Sequence, residues 1–527
     1  MLKLLVIIHH HLNRGGVSRV IENHLQAIAT WPATHWPERV LVMYGGRANG
    51  WNHEVAEQLD FPVDYATLPL LDYDSFRESD TTRAIEQEQL VESIKREIAG
   101  VGGDVASTVI HTHNHSLGKS ASLPLVLESL AEAGFRLLLQ IHDFAEDLRP
   151  TNYRHLLDCA NDEQRDLRLY PQAGHIHYAT LNRRDFEVLS MAGIAAERLH
   201  RLPNPVDAPE LKVDDASLRQ QARTKLEETY GVSSDRPFVL YPVRGIQRKN
   251  LGELLLWATL FPNASFAITL PPMNPVELTS YEMWQAYAQS WSLPVLFGVG
   301  SKLSLDESYA AADAVITTSV AEGFGLVFLE ASTRNRLLLG RNLPGITADF
   351  VDSGVQFPHL DNQLRIPTAL IDGATLEESF DGDLDQLRRD YRLSEWSQSE
   401  VRQAKMKFLE GETLDFGWLD SSFQVKILER LNEDEESRHQ VQCLNPKISI
   451  LDEANSADAF ESHEIAHNQA MIREHYSLSV IGRRLEDIYS RLLRTTVGVV
   501  EQSTSLERNV LQEFVKPSRV HPLRLES

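Results

Sequence analysis

Short apolar runs recur along this chain, each followed by an amphipathic stretch, and that rhythm leaves few folds open. "LKLLVII" reads as a buried strand, "HHHLNRGG" as a loop, and "VSRVIENHLQAIA" as a helix with apolar residues at helical spacing. Strand-like runs return at "RVLVMY", "STVIHTH", "RLLLQIHD" and "IHYATL". Repeated strand–helix–strand units imply a parallel sheet with helices on both faces. The rhythm breaks at "RLPNPVDAPELKVDDAS", residues 201–217, whose prolines and acidic residues resemble a linker. It restarts with "PFVLYPV", "NLGELLLWATL", "SFAITLP", "PVLFGVG", "LDESYAAA" and "DAVITTS". The expectation is α/β: two Rossmann-like, doubly wound domains, residues 1–207 and 208–475, with chemistry in the loops that follow strands. Residues from about 360 to 475 fit the rhythm poorly and are acidic, so they read as an insertion or an elaborated end of the second domain.

At 527 residues the chain is too long for one ordinary core, which agrees with two domains. Its net charge of -24 argues against sequence-independent binding to nucleic acid or to an anionic membrane face. The two cysteines, Cys159 and Cys443, are far apart and lack metal-ligand spacing, so neither a disulfide framework nor a zinc site is suggested. The first apolar run is too short for a secretory signal, and no apolar segment reaches the roughly 20 residues needed to cross a bilayer. The expected location is cytoplasmic, with no integral membrane segment.

The strand "DAVITTS" leads into "VAEGFGLVFLEAS", which sets Glu322 in a strand-end loop and Glu330 on the helix that follows. Gly323 and Gly325 would let the backbone approach a ligand, and amides at a helix start favour an anion such as a phosphate. A carboxylate that accepts two hydroxyl hydrogen bonds is a usual way to hold a ribose or a sugar. The spacing equally admits a capped amphipathic helix with two solvated glutamates. In "YPVRGIQRKN", again after a strand, Arg244 and Lys249 are placed where two cations could meet a pyrophosphate, although such a pair alone is more often solvated surface.

"RGIQRKN" followed some 70 residues later by "EGFGLVFLE" resembles the donor site of the retaining family four glycosyltransferases, whose two domains form the GT-B fold around a central cleft. The resemblance implies that Arg244 and Lys249 contact the donor diphosphate, Glu322 the donor sugar and Glu330 the ribose, while amides at Phe324, Gly325 and Leu326 cradle phosphate. It implies that Gly15 and Gly16, in "RGGVSRVI", face the diphosphate, and that His142, in "LQIHDF", points at the transferred sugar. "HYSLSVIGRRLEDIY" is similar to the family's last helix, so a helix at about 476–495 would complete the first domain and leave 496–527 as a tail. Where the family shows a second glycine-pair loop this chain reads "GRNLPGITADF", which departs from the pattern.

His111, His113 and His115 alternate in "VIHTHNH" and would share one face of a continuing strand, a pattern that could bind a metal. The resembled family uses no catalytic metal, so no metal is expected, and Asn114, His115 and Lys119 are assigned instead to the acceptor. Gly118, Lys119 and Ser120 end a stretch like a phosphate loop, but its first glycine is missing, because position 113 is His. His9, His10 and His11 either line the cleft or are partly solvated. The expected activity is retaining, metal-independent transfer of a hexosyl group from a nucleoside diphosphate sugar to a small soluble acceptor (sugar, sugar acid or polyol), with no cofactor. Epimerases and phosphorylases share the fold, and a silent nucleotide-sugar-binding scaffold is the reading from another class. Intact Arg244, Lys249, Glu322 and Glu330 count against the last.

Overall fold

The computed structural model describes residues 2–77, 83–160, 167–207, 216–449, 451 and 463–525. The chain divides into two compact units, Met1–Asp207 with Glu474–Lys516, and Ala208–Arg473 with Pro517–Ser527.

The first unit is built on seven parallel strands: β1 (Leu4–Ile8), β2 (Arg39–Tyr44), β3 (Val63–Thr67), β4 (Thr108–His113), β5 (Arg136–Ile141), β6 (Ile176–Thr180) and β7 (Leu199–Arg201). They lie in the order β3-β2-β1-β4-β5-β6-β7. β1, β4 and β6 are buried at every residue, as inner strands covered by helices on both faces should be, although only β1 is apolar throughout. The order reverses between β1 and β4, so the crevice at their carboxyl ends is the natural ligand position. The loop from His9 to Gly15 and the turn from Asn114 to Gly118 both leave from there.

The second unit carries β8 (Phe238–Arg244), β9 (Ser265–Leu270), β10 (Val295–Phe297), β11 (Ala314–Thr317), β12 (Leu337–Arg341) and β13 (Leu360–Asp361), ordered β10-β9-β8-β11-β12-β13. Its reversal falls between β8 and β11, whose following loops contain Lys249 and Glu322. The acidic stretch after residue 360 is a folded layer. A small antiparallel pair, β14 (Arg365–Pro367) and β15 (Thr413–Asp415), joins helices Gly373–Asp390, Gln398–Leu409, Ser421–Glu433 and Glu435–Leu444. The first of these buries Leu376, Phe380, Leu384 and Leu387 and turns its charges outward except Asp390, which is buried at its end. Arg341 ties the layer to the sheet from a buried position, since its Nη2 lies 2.6 Å from Glu253 Oε2 and 2.7 Å from Asp415 Oδ1. Most of "LDEANSADAFESHE", and the part of the linker at 208–215, lie outside the described residues.

The late helix Leu478–Arg494 belongs to the first unit, where Ile481, Leu485, Ile488, Tyr489 and Leu492 share a core with Leu5, Ile7, Leu25 and Ile28. Gly482 sets the approach to helix Gly16–Ala29, because a Cβ at that position would meet Ala27 O at 2.5 Å. Its carbonyl accepts a hydrogen bond from Trp31 Nε1 at 2.7 Å. Gly482→Leu should therefore push the two helices apart, at a cost of about 1–3 kcal/mol for overpacking. Thermal unfolding reads this as a lowered Tm, and an unchanged Tm would show that the contact does not bear on stability.

Residues 496–527 do not form a detached tail. Helix Thr504–Phe514 packs beside helix Arg183–Ala192, and the Glu507 carboxylate accepts from the amides of Leu167 at 3.1 Å and Leu169 at 2.8 Å. The following residues join the second unit, where Trp418 Nε1 donates to Val520 O at 3.1 Å.

Candidate functional site

In the second unit the loops after β8 and β11 are stitched together. Thr318 Oγ1 donates to Lys249 O at 2.8 Å, and the Val320 amide donates to Arg248 O at 2.9 Å. Tyr241 and Ser319 join hydroxyls at 2.6 Å beneath them. Asn250 takes a left-handed conformation at φ 51° and uses its side chain to cap helix Leu251–Leu260, which turns the chain sharply after Lys249. These bonds bring together two residues far apart in sequence: Lys249 Nζ and a Glu322 carboxylate oxygen form a nearly buried ion pair. Burial alone would push the Glu322 carboxyl up, but Lys249 and Arg248 outweigh it and hold the group below its ordinary value.

The sequence reading gave Lys249 and Glu322 separate contacts on a donor, whereas here they hold each other. The reason is the reversal of strand order, which makes β8 and β11 neighbours. Arg244 closes β8 and donates to Pro271 O at 2.7 Å. Gly325 has φ 79°, a conformation open to glycine, and a Cβ there would meet the Phe328 ring at 2.6 Å. Phe324 is buried edge-on against Phe350, with ring centres 5.2 Å apart, and Leu326 precedes the short helix Val327–Thr333 that carries the half-buried Glu330. Tyr241, Thr318 and Ser319, which set the pair's position, carry no sequence pattern that would single them out.

In the first unit, Gly15 has extended backbone that any residue adopts, and a Cβ on Gly16 would meet nothing within 4 Å. The fold itself does not require glycine at Gly16, and the space over the start of the helix stays open. His142 follows β5 and is nearly buried, with its Nε2 3.0 Å from His113 Nδ1. Burial pulls it down to about 4, against a smaller upward pull from Asp143, so it is a neutral imidazole at pH 7. Asn114, at φ 64°, ends the strand, and its side-chain oxygen accepts from the amides of His142 at 3.3 Å and Asp143 at 2.8 Å.

That left-handed turn corrects the reading of three alternating histidines. β4 stops at His113, and His115 turns into the core, where its Nε2 donates to Leu169 O at 2.9 Å. The third imidazole near His111 and His113 is His24, from helix Gly16–Ala29. His9 and His10 are buried rather than solvated. Lys119 is half-buried, and burial together with the Arg149 guanidinium disfavours its charge.

No known protein-family profile matches the chain. It is 26% identical over 473 residues to a mannosylglucosyl-3-phosphoglycerate synthase of Petrotoga mobilis, and the match covers 86% of each chain. Its structure is similar to that of HepE of Anabaena, solved with UDP and glucose, with a TM-score of 0.50 and 15% identity over 93% of this chain and 99% of that one. Sucrose-phosphate synthase of Thermosynechococcus elongatus gives a TM-score of 0.52 and 13% identity over 93% and 99%. The chain has the GT-B fold. That fold, two parallel-sheet α/β units with the strand orders given above, is what the sequence reading expected. With the sequence likeness to a sugar synthase, it supports a glycosyltransferase.

Proposed function

We propose that this chain is a retaining hexosyltransferase that moves a sugar from a nucleoside diphosphate sugar to a hydroxyl of a small, anionic sugar-acid acceptor. The observation that carries the reading is the Lys249–Glu322 pair at the strand-order reversal of the second unit, in a chain related to a sugar synthase. A phosphate entering beside the pair takes Lys249 as its counter-ion and leaves Glu322 to accept hydroxyl hydrogen bonds from the sugar. Arg244 supplies a second cation, the amides of Phe324, Gly325 and Leu326 lie along the phosphates, and Glu330 takes the ribose.

In the reaction the bond from the anomeric carbon to the diphosphate oxygen breaks. The acceptor oxygen bonds that carbon from the same face, and the acceptor proton passes to a donor phosphate oxygen. The protein contributes positioning and stabilises charge on the departing diphosphate. In the first unit, Gly15 and Gly16 leave room for phosphate, and neutral His142 hydrogen-bonds the transferred sugar.

The relative from Petrotoga mobilis is named for a product that contains a phosphorylated glyceric acid. Carried over as a class, a phosphorylated acceptor fits Lys119, whose charge is disfavoured beside Arg149 and would be favoured by an anion. Asn114 and His115 act on the acceptor indirectly, by fixing the turn in which Lys119 follows. The two free, exposed cysteines suit a reducing, cytoplasmic setting.

Thermal unfolding with a panel of nucleoside diphosphates and their sugars tests the donor, since a ligand that binds the native state at about 100 times its Kd adds about 2.7 kcal/mol. One base should raise Tm above the others, and a flat response across the panel would sink the reading. The anomeric configuration of the product, read by NMR, decides retention. With Arg244 and Lys249 neutralising the diphosphate, turnover should be unchanged when magnesium and manganese are omitted, and a strict requirement for either would replace this mechanism with a metal-bridged one.

A further inference from the structure

The core of the first unit holds a cluster of imidazoles that sugar transfer does not use. His24, on helix Gly16–Ala29, and His111 and His113, on β4, are each 0% exposed. One nitrogen from each lies within 4.8 Å of the others. Both nitrogens of His24 and the Nε2 of His113 are buried without a hydrogen-bond partner. Such atoms are costly to bury, and a core that wanted only packing would place an apolar residue at position 24.

We propose that His24, His111 and His113 form a zinc-class transition-metal site inside the first unit. Three neutral imidazoles match the preference of zinc for nitrogen donors. Bonds of about 2.1 Å to a tetrahedral ion place nitrogens about 3.4 Å apart, so rings now within 4.8 Å must close by on the order of 1 Å. His111 shows how the surroundings would hold it. Its Nε2 lies 2.9 Å from Gln140 Oε1, which only accepts, and the Gln140 amide group donates in turn to Leu202 O at 3.4 Å. The proton therefore sits on Nε2, and the Nδ1 lone pair now accepts from the Tyr489 hydroxyl at 2.7 Å, a bond the ion would replace. Burial holds the Tyr489 phenol neutral, so on metal binding its hydroxyl stays beside the ion as a neutral group.

On His113 the ion takes Nε2, which forces the remaining proton onto Nδ1, and Nδ1 then donates across 3.0 Å to His142 Nε2. The site thereby fixes His142 as the tautomer that carries its proton on Nδ1.

The test is metal content of the full chain, made without a histidine tag, passed through gel filtration after exposure to excess zinc and measured by elemental analysis. About one zinc per chain is expected. Replacing zinc with cobalt(II) should give the intense visible bands of a tetrahedral nitrogen-rich site. His24→Leu and His24→Gln should each reduce bound metal to a small fraction while far-UV circular dichroism stays native. Should both variants fail to fold, calorimetric titration of metal-free wild-type protein with zinc decides, one tight site supporting the proposal. Wild-type protein that leaves the column without metal overturns it, as does stoichiometric zinc retained by either His24 variant, or weak octahedral cobalt absorption.

Discussion

Lys249→Ala should lower turnover by a factor of about 100 or more, the scale for removing one stabiliser of charge on a leaving group. Arg244→Ala should fall on the same scale. The structure adds a complication at Lys249 that a loop of solvated cations would not have. Its loss leaves Glu322 nearly buried without its counter-ion, and breaking a buried pair from one side costs about 3–5 kcal/mol. A fall in activity could then reflect a damaged loop rather than lost chemistry, and the double variant Lys249→Ala with Glu322→Gln separates the two. It removes both charges together, so Tm should recover toward wild type while turnover stays low. Saturation kinetics and thermal unfolding on the three proteins decide the matter. Near-normal turnover in the Lys249 and Arg244 single variants would remove the donor diphosphate from this loop, and recovery of turnover in the double variant would make the pair structural only.

The two glutamates should fail differently when each is changed to glutamine. Glu330, assigned to the ribose, binds in the ground and transition states alike, so Glu330→Gln should weaken donor and free nucleoside diphosphate while turnover at saturation survives. Glu322 is assigned to the sugar as it gains positive character, so Glu322→Gln should depress turnover. Because Glu322 now holds Lys249, its neutralisation frees that ammonium, and free nucleoside diphosphate should bind as well as before or more tightly. Calorimetric titration with nucleoside diphosphate, beside kinetics with the sugar donor, reads both effects. Loss of diphosphate binding in Glu322→Gln but not in Glu330→Gln would reverse the donor's orientation. Absence of any defect in both would leave two carboxylates on a helix face and remove the main support for the proposed activity.

Strands with long apolar runs were legible in the sequence, among them β1, β2, β4, β5, β8 and β11. Those missed lack the signal for physical reasons. β3 and β7 are edge strands of five and three residues that mix polar with apolar residues and form no apolar run, and β13 is only two residues long. β12 ends in Arg341, a charge that reads as loop until Glu253 and Asp415 arrive from distant segments to neutralise it. Glu322 and Lys249 were each found as residues, but their pairing depends on which strands are neighbours, and local spacing does not encode that. His24 was hidden in an amphipathic helix, and only the packing of that helix on β4 reveals its company. His115 was misplaced by one backbone angle at Asn114.

Synthesis of this chain runs from its amino end, and helix Leu478–Arg494 emerges after the whole of Ala208–Arg473. The first unit thus waits on the ribosome with the surface of Leu25 and Ile28 uncovered while its neighbour can already collapse. At a typical 5–20 residues per second the wait lasts on the order of 15–60 seconds, long compared with the folding of a single domain. Each unit is thus completed only by a late segment, the first by Leu478–Arg494 and the second by the residues after Lys516, and nascent chains stalled before residue 478 should recruit chaperones to the face of helix Gly16–Ala29 that bears Leu25 and Ile28.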